Sequence, residues 1–443
     1  MQPFHHLLAN NLVANITNFT VWFALTFWTF LETQSVFATG MIAGIYLVLT
    51  AALGIWFGSL VDHHGKRNMM IVSSAASLLL YTAALAGYAI DPDIRRAETG
   101  GVTLWLFILV TMLAVIVGNI RMIALPTLVT LLVSEDRRDK ANGLVGMVSG
   151  IGFLTTSAIS GFLVAWGGMI GTLCFAIGFT LVAIFHLLFV RIEEPRDPET
   201  HDAPRRIDLA GTLKVVLGIP GLIALILFST FNNLLGGVFM ALMDAYGLSL
   251  MKVEEWGLLW AVISCAFILS GMLIARTGLG ANPVRTLLLV NLAAWIVAVF
   301  FTVQSSIALL AAGCFLWMFL GPYAEAAEQT TLQKVVPFER QGRVFGFAQS
   351  VEQSASPLTA FLIAPLTQFV FVPLMTDGAG AEAIGDWYGR GPERGIAIVF
   401  SIAGLLGVLA TIAAFRSGSY RRISAAYAAG TGDEAGGPTE QPA

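Results

Sequence analysis

The chain has 443 residues, of which 56% are hydrophobic and 12% are charged. Soluble globular domains carry about 25% charged residues, so this composition excludes an ordinary soluble protein and is typical of one embedded in a lipid bilayer. The formal net charge of −4 indicates no strongly basic surface, and no nucleic-acid partner is expected.

Twelve apolar segments follow one another along the chain, each long enough for a membrane-spanning helix of about 20 residues. The predicted spans, numbered 1 to 12 in chain order, cover residues 8–31, 36–61, 68–90, 103–131, 141–166, 169–191, 219–246, 254–277, 283–303, 306–332, 342–372 and 395–416. The apolar runs are continuous rather than alternating, which favours helices over a membrane β-barrel. The sequence therefore predicts an all-α membrane protein with twelve transmembrane helices.

A polar, proline-containing segment divides these spans six and six. The predicted organisation is an N-terminal six-helix bundle over residues 1–191, a cytoplasmic linker over 192–218 and a C-terminal six-helix bundle over 219–416. A cytoplasmic tail follows over residues 417–443, and its Gly-, Pro- and acid-rich end predicts that it is largely disordered. Within the linker, residues 207–217 predict a short helix lying on the membrane surface.

The distribution of positive charge predicts the orientation. Most of the 24 lysine and arginine residues fall in the even-numbered connections and the tail. The odd-numbered connections contain Arg95, Arg96, Lys252, Arg390 and Arg394. Because positive residues are retained on the cytoplasmic side, both termini are expected in the cytoplasm of a multi-pass protein of the inner (cytoplasmic) cell membrane.

The two halves carry an internal repeat. Residues 127–143 align with residues 330–346, at the connection of span 4 to span 5 and of span 10 to span 11. The alignment pairs Asp136 with Glu339, Arg137 with Arg340, Lys140 with Arg343, Gly143 with Gly346, and further upstream Gly118 with Gly321. Parallel six-span repeats are found in one large class of transporters, so the bundles are expected to be pseudo-symmetric.

The connection between spans 2 and 3 is a short, charged turn bounded by glycines. Its residues 58–67 resemble the loop 2–3 signature of the major facilitator superfamily, written G-x-L-a-D-r-x-G-r-k. The positions that match are Gly58, Leu60, Asp62, Gly65, Lys66 and Arg67, whereas His63 stands where the signature has arginine. The twelve spans, the linker and the repeat extend the resemblance over nearly the whole chain. Residues 132–143 look like the branch that includes macrolide exporters, siderophore exporters and lysophospholipid flippases.

The resemblance implies a role for this turn. In the family, the matching aspartate latches onto the start of span 11, here near Gly342 and Arg343, and favours the outward-open state. Lys66 and Arg67 would hold the cytoplasmic face. The alternative is an ordinary positively charged turn with no role in the conformational change.

Charged residues inside the membrane cost about 3 kcal/mol or more, so each is expected to be paired, hydrated or functional. Glu352 lies about 15 Å along span 11, among Ser350, Gln353 and Ser354. It is either a proton carrier or ligand contact, or a structural hydrogen-bonding residue between spans.

Arg121 lies within span 4, and the repeat aligns it with Ala324, beside Glu325 and near Glu328 in span 10. The resemblance places spans 1, 4, 7 and 10 around a central cavity. Arg121 would then form an ion pair with Glu325 or Glu328, as a cytoplasmic gate. The alternative is that Arg121 extends to the cytoplasmic surface and the glutamates face water.

Spans 1 and 7 carry further polar and aromatic candidates. Glu32 and Asp244 close their outer ends, either as solvated residues or as part of an external gate. Amide side chains within the two spans would line the cavity or bond to neighbouring helices: Asn15, Asn18, Asn232 and Asn233. Aromatic residues accompany them, and would favour a lipophilic solute or face lipid: Trp22, Phe23, Phe27, Phe228, Phe231 and Phe239.

These features predict a monomeric secondary transporter that moves a small lipophilic or amphipathic molecule by alternating access, with proton-coupled export favoured. Within transport, the alternatives are an uptake symporter or uniporter and a lysophospholipid flippase. A non-transporting receptor on the same fold is the alternative from another class. The sequence has no Walker-type phosphate loop, metal-ligand spacing or catalytic triad, so no cofactor, metal or enzymatic activity is expected.

Overall fold

The computed structural model describes residues 2–33, 36–96, 101–192, 194 and 209–429. Helices make up nearly all of these ranges, and no strand occurs within them. The spans are Gln2–Thr33, Val36–His63, Lys66–Ile90, Val102–Leu132, the two halves of Arg138–Phe189, Leu222–Leu250, Val253–Thr277, Pro283–Phe300, Ile307–Val335, Gln341–Leu366 with its continuation to Thr376, and Pro392–Arg416.

Ten helices in the described ranges are both long and apolar enough to cross a membrane. The other two predicted spans, Gln2–Thr33 and the first half of Arg138–Phe189, are continuous helices with more polar residues. Together they give the twelve-helix architecture that the sequence predicts. Both ends of this architecture, Gln2 and Arg416, lie on one side of the bundle, which is called the termini end below.

The long helix Arg138–Phe189 contains the boundary between spans 5 and 6. Gly168 has a φ of 54°, a left-handed conformation that glycine adopts at little cost. A Cβ added at Gly171 would lie 3.9 Å from the carbonyl oxygen of Leu163, whereas a straight helix would separate these residues by about 12 Å. The chain therefore reverses at Gly168, where the sequence predicted the boundary.

Span 4 is interrupted, although the sequence predicted a single helix over residues 103–131. Helix Val102–Gly118 ends at Asn119, and helix Ile120–Leu132 follows. The Asn119 amide donates to Ile116 at 3.0 Å, a tight turn at which the regular ladder breaks. The Asn119 side chain donates to the hydroxyl of Tyr46 on span 2 at 3.1 Å.

The tail begins with a helix, Gly418–Ala429, which the sequence did not predict. Ile423 is buried against Gly221 at the start of span 7. This apolar contact gives the segment a packing surface that its composition did not reveal. Residues 430–443 lie outside the described residues. The predicted surface helix of the linker is present as Leu209–Gly218, and linker residues 195–208 lie outside the described ranges.

Glycines bring the two halves into close contact near the termini end. Spans 2 and 11 meet where a side chain at Gly58 would overlap the Gly342 carbonyl, and spans 5 and 8 meet where one at Gly143 would crowd Ile274. Backbones packed this closely leave no room for an opening between the halves at this end. The space between the bundles therefore lies deeper and toward the opposite end.

Candidate functional site

Two adjacent chambers lie between the halves. The outer chamber, of about 800 Å³, lies toward the end opposite the termini and has mainly apolar walls. The inner chamber, of about 420 Å³, lies toward the termini end and is lined by amides and charged groups. Asn15 and Met122 line both, so the polar and the apolar chamber lie next to each other.

Aromatic rings form much of the outer chamber's wall. Trp22 and Phe23 contribute from span 1, and Phe239 from span 7. Phe239 stacks on Trp317 of span 10, with ring centroids 5.2 Å apart, so the wall is a packed surface. A chamber of this size and lining suits a bulky apolar or amphipathic molecule. Phe27, in contrast, has 44% of its surface exposed and is absent from the chamber lining, as its lipid-facing alternative predicts.

The predicted outer residues Glu32 and Asp244 are both exposed. Asp244 lies at the rim of the outer chamber and accepts a hydrogen bond from Trp256 Nε1 at 3.0 Å. That contact joins spans 7 and 8 of the same half. The geometry therefore favours the interpretation of solvated helix ends over a gate across the halves.

The predicted asparagines both line the chambers and bond to neighbouring helices. Asn18 lines the outer chamber and accepts from the hydroxyl of Tyr81 at 3.2 Å. Asn232 lines the inner chamber and accepts from Trp295 Nε1 at 2.7 Å. Asn233 also lines the inner chamber. The two alternatives drawn from the sequence are therefore compatible, because these amides face the cavity and hold the helices around it.

Three carboxyl groups meet in the inner chamber: Glu325 and Glu328 from span 10 and Glu352 from span 11. Ser229 of span 7 donates to Glu328 at 2.6 Å. Oε1 of Glu352 is buried and has no hydrogen-bond partner among the described residues.

Arg121 also lines the inner chamber, but the structure does not pair it with Glu325 or Glu328. Its guanidinium donates to Asn10 Oδ1 and to the hydroxyl of Ser74, on spans 1 and 3 of its own half. Only 3% of its surface is exposed, so it does not extend to the membrane surface either. Both predictions for Arg121 are corrected, because neutral acceptors in the same half satisfy the guanidinium.

The predicted contact between loop 2–3 and span 11 is present. The carboxylate of Asp62 accepts the backbone amides of Gly342 at 2.6 Å and Arg343 at 2.8 Å. Arg343 Nε lies 3.4 Å from the same carboxylate, whose side chain is 1% exposed. His63, which replaces the arginine of the signature, lies 3.5 Å from the Arg343 guanidinium. These contacts form the span 2–11 latch.

A linker residue that sequence reasoning missed also holds loop 2–3 in place. The Glu194 carboxylate, in the linker, accepts the amides of Lys66 at 2.7 Å and Arg67 at 2.8 Å. An anion is favoured at this helix start, which Gly65 precedes. The Arg67 side chain donates to Leu187 at the end of span 6. The sequence signal that could have indicated this contact was an acidic residue directly after span 6.

Further contacts close the termini end. Lys334 forms an ion pair with Glu135 at 2.6 Å between the two halves. Asn142 of span 5 donates to Thr330 at 2.8 Å and to Gln333 at 2.9 Å, both on span 10. The inner chamber is therefore sealed from the termini end by hydrogen bonds between the halves.

A sequence model of the Major Facilitator Superfamily matches residues 7–360. The chain belongs to this superfamily. As a member of this superfamily, it is a multi-pass membrane transporter.

The individual proteins similar to this chain share low sequence identity with it. Macrolide efflux protein A of Streptococcus pyogenes is 23% identical over 369 residues, which cover 82% of this chain and 88% of that protein. A bacterial homologue of the iron transporter ferroportin, in an outward-facing state, has a TM-score of 0.68 and 16% identity, over 93% of this chain and 99% of that one. The proton:xylose symporter XylE has a TM-score of 0.66 and 13% identity, over 93% and 95% of the two chains. At these identities, the structural likenesses establish the fold.

Proposed function

We propose that this superfamily member exports a lipophilic or amphipathic solute across the inner cell membrane in exchange for protons. The observation that carries the proposal is an aromatic chamber that adjoins a chamber lined by the carboxyl groups of Glu325, Glu328 and Glu352. The solute occupies the outer chamber, and the pair Glu328–Glu352 carries the proton. Both termini lie in the cytoplasm, as the positive charge at the termini end supports.

The outer chamber supports the class of solute. Its volume of about 800 Å³ is within the range of sites for drug-sized molecules. The rings of Trp22, Phe23 and Phe239 offer large apolar contact surfaces, each of which contributes by removing apolar area from water. The relative macrolide efflux protein A supports outward movement, since its name records efflux.

The carboxyl pair supports proton coupling. Ser229 donates to Glu328, whereas Oε1 of Glu352 has no hydrogen-bond partner among the described residues and is available to bind a proton. When the termini end opens, water reaches the pair, which releases its proton to the cytoplasm as solute binds. On the outer side a new proton binds to the pair as the solute leaves. Alternating access then allows the carboxyl groups to exchange protons with one side at a time.

The span 2–11 latch defines the state described here. Asp62 holds the start of span 11 while the outer chamber lies toward the opposite end. With the termini in the cytoplasm, this is the outward-facing state. Opening toward the cytoplasm requires Asp62 to release Gly342 and Arg343, so the latch stabilises the outward-facing state relative to the inward-facing one.

Transport by purified protein in liposomes tests the proposal. A pH gradient is imposed, and the movement of a fluorescent lipophilic dye is followed in the wild type and in Glu352→Gln. Glutamine has nearly the same volume but cannot release a proton, so gradient-driven transport should be lost, while dye exchange at equal pH remains. Glu382→Gln, an exposed glutamate on the outer helix Ala379–Tyr388, is the control.

Unchanged gradient-driven transport by Glu352→Gln would exclude Glu352 as the carrier. If the wild type moves no member of a broad dye and lysolipid panel but still binds one, the receptor alternative replaces transport. Movement of lysolipid that does not depend on the pH gradient would instead favour the flippase. Accumulation of solute in the same direction as the protons flow would favour an uptake symporter.

A further inference from the structure

The acid–amide contact of the span 2–11 latch has a counterpart at the other interface between the halves. Asp139, at the start of span 5, accepts the backbone amide of Leu279 at 2.9 Å through Oδ2. Leu279 lies in the connection between spans 8 and 9 and is 4% exposed. The other oxygen of Asp139 accepts the amide of Lys140 at 2.7 Å, so the two oxygens serve different partners.

The internal repeat relates the two contacts. It aligns Asp139 with Gly342, the residue whose amide binds Asp62. The helices that face these residues, spans 2 and 8, also match. Gly54 of span 2 packs against Ser350, and Gly271 of span 8 packs against Met147. The repeat aligns Met147 with Ser350.

Asp62 follows Gly54 by about two helical turns, and Leu279 follows Gly271 at the same separation in sequence, just beyond the end of its helix at Thr277. Leu279 therefore occupies the position of Asp62, and Asp139 that of Gly342. The acid and the amide have exchanged places between the two interfaces.

A glycine conformation makes this exchange sterically possible. Gly278 has a φ of 73°, and a Cβ at this position would overlap Oδ2 of Asp139. The nearby Gly280 has a φ of 82°, but its Cβ would meet nothing within 4 Å. Both glycines allow the backbone to turn, but only Gly278 makes room for the carboxylate beside the Leu279 amide.

We propose that Asp139 and the Leu279 amide form a second latch, which holds spans 5 and 8 together at the termini end. The connection over residues 275–283 has no acidic residue, so the second half has no aspartate to act as Asp62 does. Asp139 supplies the missing charge from the opposite side. The inference rests on the alternating access of the proposed function, and not on its solute or its proton coupling.

The rate at which a buried cysteine is modified measures how often the termini end opens. Ala348 lines the inner chamber and is 3% exposed, so Ala348→Cys serves as the reporter once Cys174, Cys265 and Cys314 have been replaced. The full chain is purified and treated with a water-soluble maleimide. Asp139→Ala should raise the modification rate about tenfold, since a hydrogen bond to a charged group is lost only from the closed state.

Asp136→Ala is the matched control, because it removes the same charge from the same connection at a side chain that is 74% exposed. A second pair of variants tests the amide side. Gly278→Ala should raise the rate as Asp139→Ala does, and Gly280→Ala, which imposes similar backbone strain without meeting Asp139, should raise it much less. The double variant Asp139→Ala with Gly278→Ala should be no faster than either single variant, since both remove one contact.

Equal rates for Asp139→Ala and Asp136→Ala would overturn the proposal, as would fully additive effects of Asp139→Ala and Gly278→Ala. If Asp139→Ala does not fold, the comparison of the two glycine variants still decides the question. The assay needs neither solute nor pH gradient. Failure of proton-coupled export would therefore leave the latch result intact, and failure of the latch would leave the transport result intact.

Discussion

Replacing Asp62 with alanine should release the termini end of the closed state. The variant leaves the amides of Gly342 and Arg343 without acceptors and removes the ion pair of Arg343. Each hydrogen bond to a charged group contributes about 1.5 kcal/mol or more, so the loss is about 3 kcal/mol. Since 1.4 kcal/mol corresponds to a factor of ten, the ratio of open to closed protein should rise about 100-fold.

The direction follows from where the contacts exist. In the closed state the carboxylate and both amides are shielded from water, and the Asp62 side chain is 1% exposed. In the open state water can hydrate all three groups in the wild type, and the two amides in the variant. The substitution therefore raises the free energy of the closed state and changes that of the open state little.

The Ala348→Cys reporter measures this ratio through its modification rate. Asp62→Ala should accelerate modification about 100-fold over the reporter alone, and Asp62→Asn should fall between them because its amide keeps one acceptor oxygen. Asp136→Ala again controls for the lost charge. A rate for Asp62→Ala within twofold of this control, in protein that remains folded, would refute the reasoning that Asp62 holds the closed state.

Two further substitutions test the chambers. Phe23→Ala should weaken equilibrium binding of a transported dye about tenfold, because it removes aromatic contact area. The control Phe179→Ala, at an exposed position on span 6, should leave the affinity unchanged. Equal losses of affinity in the two variants would contradict the placement of the solute in the outer chamber. The single variants Arg121→Glu and Glu325→Arg should each lose transport, and combining them should not recover it, because Arg121 is held by Asn10 and Ser74. Recovery of transport in the double variant would instead support an ion pair between Arg121 and Glu325.

Much of the architecture could be predicted because apolar length and turn composition are local properties of the chain. Turn composition predicted the boundary at Gly168. The family signature predicted the contact of Asp62 with the start of span 11. The helix Gly418–Ala429 was not predicted, because its stability depends on burial of Ile423 against Gly221, a residue far away in sequence.

The inner chamber shows the same limit. Glu352 was a candidate because it lies deep in a span, but its place in one chamber with Glu328 depends on how spans 10 and 11 pack. Arg121 was assigned to the wrong partners because the repeat places Glu325 opposite it, whereas Asn10 and Ser74 come closer through the packing of spans 1, 3 and 4. Neutral acceptors leave no charge pattern in a sequence, so such partners are found only in three dimensions.

The most direct test of proton-coupled export is to follow protons and solute together. Liposomes containing the purified protein and an internal pH-sensitive dye are prepared with equal pH on both sides, and a transported solute is added outside. Exchange predicts that entry of solute drives protons out, so the lumen becomes more alkaline, and that Glu352→Gln abolishes this change. Acidification of the lumen, or solute entry without any change in luminal pH, would contradict the exchange of solute for protons.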